Sequence, residues 1–208
     1  MGRKWIVTII VVAAGCGSAA GQIAKERPSI VIAVYNDAAV PDRDLANAEE
    51  RGTYVLRQAD VNVLWANRSG LTPTGVRRDQ VPIAFTGISL HIIDKPQKAG
   101  GDVFGMAFVA SEGIGNYVDV FYGRIRALEA ERLDSATVLG YVMAHEIGHL
   151  LLGVQSHSKL GIMQPRWEPA QLRKASMGKL LFTPEQSERM QSRLRKASVT
   201  EKTVVAGE

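Results

Sequence analysis

The chain has 208 residues, which is enough for one compact domain with a sizeable core and short for two. Hydrophobic residues make up 46% of it and charged residues 22%, ordinary values for a globular protein that argue against disorder. The formal net charge is only +4, and no basic patch is interleaved with aromatic residues, so nothing in the composition predicts nucleic-acid binding.

The first twenty residues are typical of an export signal. Arg3 and Lys4 form a basic start, an apolar run from Trp5 to Ala14 follows, and small residues continue to Ala20. A membrane-spanning helix needs about 20 apolar residues, so this run is too short to cross a bilayer comfortably. Its proportions are those of a secretory signal. We therefore expect residues 1–20 to be a signal peptide and the mature protein to be secreted or periplasmic.

Cys16 is the only cysteine, so the chain cannot form an intramolecular disulfide. The segment 12–16 resembles a bacterial lipobox, although Ala13 stands where leucine is usual. This resemblance implies that Cys16 is acylated and attaches the protein to a membrane. Plain cleavage before Gly21 is the alternative, and the mass of the mature N-terminus distinguishes the two.

The remaining sequence predicts a single domain over residues 21–198 and a flexible tail at 199–208. In chain order, the pattern first predicts strands at 29–35 and 61–65, with a helix at 41–59 between them, and then a loop at 67–86. Three further strands are predicted at 88–93, 104–110 and 117–122. A long helix is predicted from Asp134 or Ser135 to Leu152, and a last helix from Pro184 to about Lys196. The first strand-helix-strand unit implies a parallel pair. We therefore predict an α/β or α+β fold, with a twisted sheet packed against helices.

The informative motif is His145-Glu146-Ile147-Gly148-His149 in the long helix. Residues four apart on a helix lie on one face, so both imidazoles can be directed at one metal ion. Glu146 lies about 100° around the helix from His145, where it can face a metal-bound water without being a ligand. This arrangement suits zinc-assisted hydrolysis with Glu146 as the catalytic base. A chance match on an apolar helix is disfavoured, because burying these groups is costly unless something satisfies them.

A zinc site needs a third protein ligand, and His157 is the nearest candidate. Gly153 lets the chain turn off the helix, and the next residues can carry His157 back to the site. The rival is Glu168, nineteen residues after His149. Pro169 and the lack of a clear helical pattern around it disfavour Glu168. Both residues remain candidates.

The stretch from His145 to Pro165 resembles the signature of the metzincin zinc peptidases, in which a third histidine and a methionine-containing turn follow the helical pair. The resemblance implies that Met163 forms an apolar floor under the metal. It also implies a mostly parallel five-stranded sheet with an antiparallel edge strand, a long zinc-binding helix, an irregular segment with the methionine turn, and a C-terminal helix. The edge strand near Phe104 to Ala110 would then bind an extended peptide by strand addition.

The spacing departs from the family pattern. That pattern would place glycine at 152 and the third histidine at 155, where this chain has Leu152 and Gln155. We expect this two-residue expansion to lengthen the loop and to leave the helical pair unchanged. Many relatives also carry a tyrosine two residues after the methionine, and here that place is Pro165.

These observations favour a zinc-dependent peptidase that hydrolyses a peptide or protein substrate. The alternatives are a non-catalytic, zinc-stabilised exported domain that binds a partner, and an exported scaffold without metal. Two other polar residues lie on predicted strands: His91 is expected to be structural, and Asp119 to make an ordinary contact or to orient a site histidine. The sequence does not indicate an oligomeric state.

Overall fold

The computed structural model describes residues 27–67, 87–95, 103–109 and 115–205. The predicted signal peptide, Cys16 and most of the predicted loop at 67–86 lie outside the described residues. The strands are β1 (Ser29–Asn36), β2 (Asn62–Asn67), β3 (Gly87–Ile93), β4 (Gly105–Phe108) and β5 (Tyr117–Phe121). The helices are α1 (Asp42–Gln58), α2 (Tyr122–Ala127) with a 3-10 turn at Leu128–Glu131, α3 (Ser135–Leu152), α4 (Pro169–Ser176) and α5 (Pro184–Val205).

The five strands form one sheet in the order β2-β1-β3-β5-β4. All neighbouring pairs are parallel except β4 with β5, which is antiparallel. The mostly parallel sheet with an antiparallel edge strand is therefore confirmed. Alternate strand residues point to one buried face, which carries Ile30, Ile32, Val34, Ile88, Leu90, Ile92, Val118 and Val120.

Helix α3 is the centre of the domain. It begins where the sequence predicts, because the Asp134 carboxylate caps it by accepting a 3.0 Å hydrogen bond from the Thr137 backbone N–H. Its side chains are buried almost all the way around, with Thr137 and His149 only partly exposed. The helix packs against α1, α4, α5, β4 and β5. Side chains on α3 are therefore held by packing on every side.

Three helices differ from the list of predicted elements: α2 and α4 are additional, and α5 is longer. Helix α4 was missed, and its start is a capping box in which the Glu168 side chain accepts from the backbone of Gln171 while the Gln171 side chain bonds back to Glu168. A helix of eight residues gives too short a periodic signal to be recognised without that cap. Helix α5 continues to Val205, beyond the predicted end near Lys196.

Within the described ranges, no helix combines the length and the apolar character that crossing a bilayer would require.

The close contact between α1 and α3 depends on Gly140. A Cβ atom there would clash with the Ala48 carbonyl oxygen and lie 2.6 Å from the Arg51 Cβ.

We predict that Gly140→Ala lowers the free energy of unfolding by about 1–3 kcal/mol through overpacking, although alanine is the better helix former. Gly87→Ala is the matched control, because nothing lies within 4 Å of a Cβ at that position. Denaturant unfolding tests this, and a Gly140→Ala protein as stable as the control would contradict it.

Candidate metal centre

Three histidines come together at the end of α3. His145 and His149 project from consecutive turns, and their Nε2 atoms lie 3.1 Å apart. His157 completes the group from the loop that follows the helix. One ring nitrogen of each histidine lies within 4.8 Å of the others, an arrangement that could hold a metal ion. The imidazole centroids of His149 and His157 are 4.6 Å apart, and those of His145 and His157 are 5.8 Å apart.

The second nitrogen of each helical histidine has its own partner. His145 Nδ1 lies 2.8 Å from the Ile162 carbonyl oxygen, and His149 Nδ1 lies 2.6 Å from the Ser156 hydroxyl. A carbonyl oxygen can only accept, so the His145 proton is on Nδ1 and the Nε2 lone pair faces the cluster. Such outer partners orient the rings of metal-binding histidines, and a partner that can only accept, such as the Ile162 carbonyl, also fixes the tautomer.

The loop that delivers His157 begins at Gly153. This residue has φ +84° and ψ −167°, a backbone conformation open essentially to glycine. The chain therefore leaves the helix at Gly153, as predicted, through an extended conformation with positive φ. Gln155 also has a positive φ, +56°. Directly after His157 a backbone hydrogen bond holds the loop in place, because the Ser158 N–H donates to the Met163 carbonyl at 2.9 Å.

Met163 lies in a turn beneath α3 and is fully buried. A Cβ atom added to Gly148, between the two helical histidines, would lie 2.8 Å from Met163 Sδ and 2.7 Å from Phe182 Cε1. The methionine therefore packs directly against the helix turn that carries the site. The turn is held in place by the Ile162 backbone N–H, which donates to the Leu181 carbonyl at 2.8 Å.

Trp167 is a site residue that the sequence analysis missed. Its indole N–H donates to the Ile162 carbonyl oxygen at 3.1 Å, the same oxygen that accepts from His145. Its ring stands edge-on to the His145 imidazole, with centroids 5.5 Å apart. Trp167 therefore both packs against a candidate ligand and holds that ligand's hydrogen-bond acceptor. The only signal in the sequence was a large aromatic residue within the polar segment 164–168.

Glu146 is buried beside the histidines, with 5% of its surface exposed. Desolvation raises the pKa of its carboxyl group to about 8. A Cβ at Gly105 would lie 2.8 Å from Glu146 Oε1, so the carboxylate fits directly under edge strand β4 only because residue 105 has no side chain. The same glutamate lines a cleft of about 740 Å³. The three histidines line that cleft too, between β4 on one side and residues 164–168 on the other.

The histidines are neutral in these surroundings. Burial lowers the pKa of His145 to about 4. Burial, with the nearby His145 and His157, lowers the pKa of His149 to about 3. The pKa of His157 is also lowered by desolvation. Neutral imidazole is the form that binds metal.

Glu168, the rival third ligand, lines the same cleft but is not in the three-histidine group. Its side chain is used in the cap of α4. His91 lies on the opposite face of the sheet, stacked between Tyr35 and Tyr117 at centroid distances of 4.3 and 4.9 Å. Asp119 is also on that face, since its neighbours Val118 and Val120 are the buried residues of β5. Neither His91 nor Asp119 belongs to the histidine cluster.

No protein-family model matches the chain, and no curated protein matches it. Solved structures that are similar to it include an archaemetzincin and a zinc-dependent peptidase. One is an archaemetzincin from Methanopyrus kandleri, with 16% identity over 83% of this chain and 98% of the other, and a TM-score of 0.50. The other is a zinc-dependent peptidase from Methanocorpusculum labreanum, with 17% identity over 76% of this chain and 99% of the other, and a TM-score of 0.48. The chain thus shares the fold of the archaemetzincin, which is the fold that the metzincin resemblance implied.

Proposed function

We propose that this chain is a zinc-dependent peptidase in which His145, His149 and His157 hold the metal and Glu146 is the general base. One observation carries the proposal: the Nε2 atoms of His145 and His149 are 3.1 Å apart in a buried site. Two nitrogens bound to one tetrahedral zinc at 2.0–2.1 Å lie about 3.3 Å apart. The imidazole pair therefore already has nearly the spacing that one zinc ion requires.

The donor set fits a catalytic rather than a structural zinc. Structural sites close all four positions with protein ligands, whereas catalytic sites have three protein ligands and leave one position for water or substrate. Here three imidazoles line an accessible cleft, and a carboxylate lies beside them. A purely structural site has no use for that carboxylate, which disfavours the non-catalytic zinc domain. The fold shared with an archaemetzincin is consistent with this choice.

When bound, zinc supplies an acidified water and polarises the substrate carbonyl. Glu146 takes the proton from the attacking water and passes it to the leaving amine. Burial raises the pKa of the Glu146 carboxyl, which makes its carboxylate a stronger base, and a bound cation would favour the charged form that accepts the proton. Hydrogen bonds to the Ile162 carbonyl and the Ser156 hydroxyl orient the two helical imidazole rings, and Trp167 donates to the same Ile162 carbonyl.

The outer edge of β4, the last strand of the sheet within the described residues, is the proposed binding place for an extended peptide. In the antiparallel β4–β5 pair, the Phe121 backbone N–H donates to the Phe104 carbonyl, and Phe104 is one residue before Gly105. Because ladder hydrogen bonds alternate, the backbone groups of Gly105 and Ala107 point away from β5. These groups border the cleft, next to Glu146, where a substrate strand can pair with them.

We also propose that the protein is exported. This rests on the basic and apolar segments of residues 1–20, with Cys16 as a candidate acylation site. Mass spectrometry of the mature N-terminus decides the matter: an acylated Cys16 supports the anchor, a free chain starting near Gly21 supports plain secretion, and an intact Met1 refutes export.

The first test joins metal content to activity. Purified protein should contain about one zinc per chain and cleave casein or a peptide library until a chelator removes the metal. Glu146→Gln should keep the zinc and lose about 10²- to 10⁴-fold in kcat, whereas His149→Ala should lose both. A Glu146→Gln protein with wild-type kcat would refute the role of Glu146, and metal-free wild-type protein would refute the zinc site.

The second test uses the burial of Glu146 in chelator-treated protein. Its pKa is raised from 4.5 to about 8 on folding, so between these pH values the native state retains a proton that the unfolded state has lost. The free energy of unfolding must therefore fall as pH rises through that range. The Glu146→Gln side chain does not titrate, so its free energy of unfolding lacks this fall. The difference in free energy of unfolding between Glu146→Gln and the wild type should therefore grow from pH 5 to pH 8 by about 4 kcal/mol.

Both proteins keep the three histidines, so histidine titration largely cancels in that comparison. Saturating zinc should reduce the advantage, since a nearby cation favours the charged carboxylate. Urea unfolding at several pH values measures it. A difference between the two proteins that does not change with pH would contradict the account.

The third test concerns the edge of β4. Ala107→Pro removes an outward-facing N–H and should raise KM or lower kcat/KM for long peptides, while zinc content and folding stay normal. Ala107→Val, which keeps the N–H, is the matched control. Equal kinetics for the two variants would show that the substrate does not pair with this strand.

A further inference from the structure

Ser156 is the neighbour of His157 in the loop after α3, and it has only 7% of its surface exposed. Its hydroxyl oxygen lies 2.6 Å from His149 Nδ1. We propose that Ser156 is a positioning residue that satisfies His149 in two tautomers, one for the metal-free site and one for the metal-bound site. This inference rests on the zinc site proposed above.

The two helical histidines have different kinds of partner. The Ile162 carbonyl only accepts, so the tautomer of His145 is the same with or without metal. A serine hydroxyl can donate or accept, so the partner of His149 permits either tautomer. The difference matters because the two Nε2 atoms are 3.1 Å apart. Without a cation, two facing lone pairs at that distance repel each other.

In the metal-free protein, His149 can relieve this repulsion by carrying its proton on Nε2. That N–H then donates to the lone pair of His145 Nε2, and the Ser156 hydroxyl donates to His149 Nδ1. In the metal-bound protein both Nε2 atoms must be free to bind. The His149 proton is then on Nδ1, and this N–H donates to the Ser156 oxygen. The outer partner of a metal-binding histidine commonly accepts such a hydrogen bond.

The change needs no movement of the ring and no change of its charge. Each neutral tautomer carries one ring proton, which is lost from one nitrogen to solvent and regained at the other. Both ring nitrogens keep a partner in both states, which avoids the cost of an unpaired buried polar group, about 1–3 kcal/mol. A side chain that could only accept, or an apolar one, would satisfy at most one of the two states.

The expanded loop explains why this serine is available. The chain has two more residues between His149 and the third histidine than the metzincin pattern, and Gln155 makes a turn there with φ +56°. Ser156 and His157 follow that turn directly. Successive residues of one loop therefore supply an orienting partner for His149 and the third candidate ligand.

The test compares Ser156→Ala and Ser156→Thr with Ser158→Ala. Ser158 is the matched control, since it lies in the same loop and its hydroxyl donates to the Leu160 carbonyl rather than to a histidine. Zinc affinity is measured by competition with a chromogenic chelator. The His149 tautomer is read from ¹⁵N imidazole NMR of the full chain with and without zinc.

Ser156→Ala should weaken zinc binding about 10- to 100-fold, while Ser156→Thr and Ser158→Ala stay close to wild type. The wild-type NMR spectrum should show the His149 proton on Nε2 without zinc and on Nδ1 with it. The inference would be overturned if Ser156→Ala bound zinc as tightly as the wild type, or if the wild type showed the same His149 tautomer with and without zinc. Neither result would contradict the proposed zinc site. Failure of the wild type to bind zinc would overturn both. Should Ser156→Ala not fold, the wild-type spectra and Ser156→Thr decide the question.

Discussion

The central constraint on this domain is the burial of two neutral imidazoles and a carboxylate on adjoining turns of one apolar helix. Groups of this kind are costly to bury without partners, and the surrounding elements supply partners for the two imidazoles. The Ile162 carbonyl and the Ser156 hydroxyl each bind one ring nitrogen, which directs the other two nitrogens at each other across 3.1 Å. A shared cation would be a favourable partner for both nitrogens, and the proposed peptidase activity depends on it.

Close backbone approach is the second feature that shapes the site. Gly148 lets Met163 and Phe182 pack against the helix between the two histidines, and Gly105 lets edge strand β4 pass directly over Glu146. The Glu146 carboxylate is thereby placed between the candidate metal ligands and the strand that is proposed to hold a substrate. His145, Glu146 and His149 are therefore on one helix, whereas His157, Ser156 and Trp167 come from the irregular segment between α3 and α4.

Much of the architecture was predictable because local signals agreed with the fold. The period-two apolar runs gave the strands of the sheet, and the Asp134 cap and Gly153 gave both ends of α3. The pairing of His145 with His149 follows from helix geometry alone. The rest depends on tertiary contacts that spacing does not encode. Trp167 reaches the site through the Ile162 carbonyl and the His145 ring, and the signal of the short helix α4 in the sequence is mainly its cap.

The most direct test of the account is the position of zinc in crystals of the zinc-loaded protein, located by anomalous diffraction at the zinc edge. The account predicts one strong peak about 2.0–2.1 Å from a ring nitrogen of each of the three histidines, with Glu146 outside bonding distance. A peak bound by Glu168 in place of His157, or no peak between His145 and His149, would contradict it.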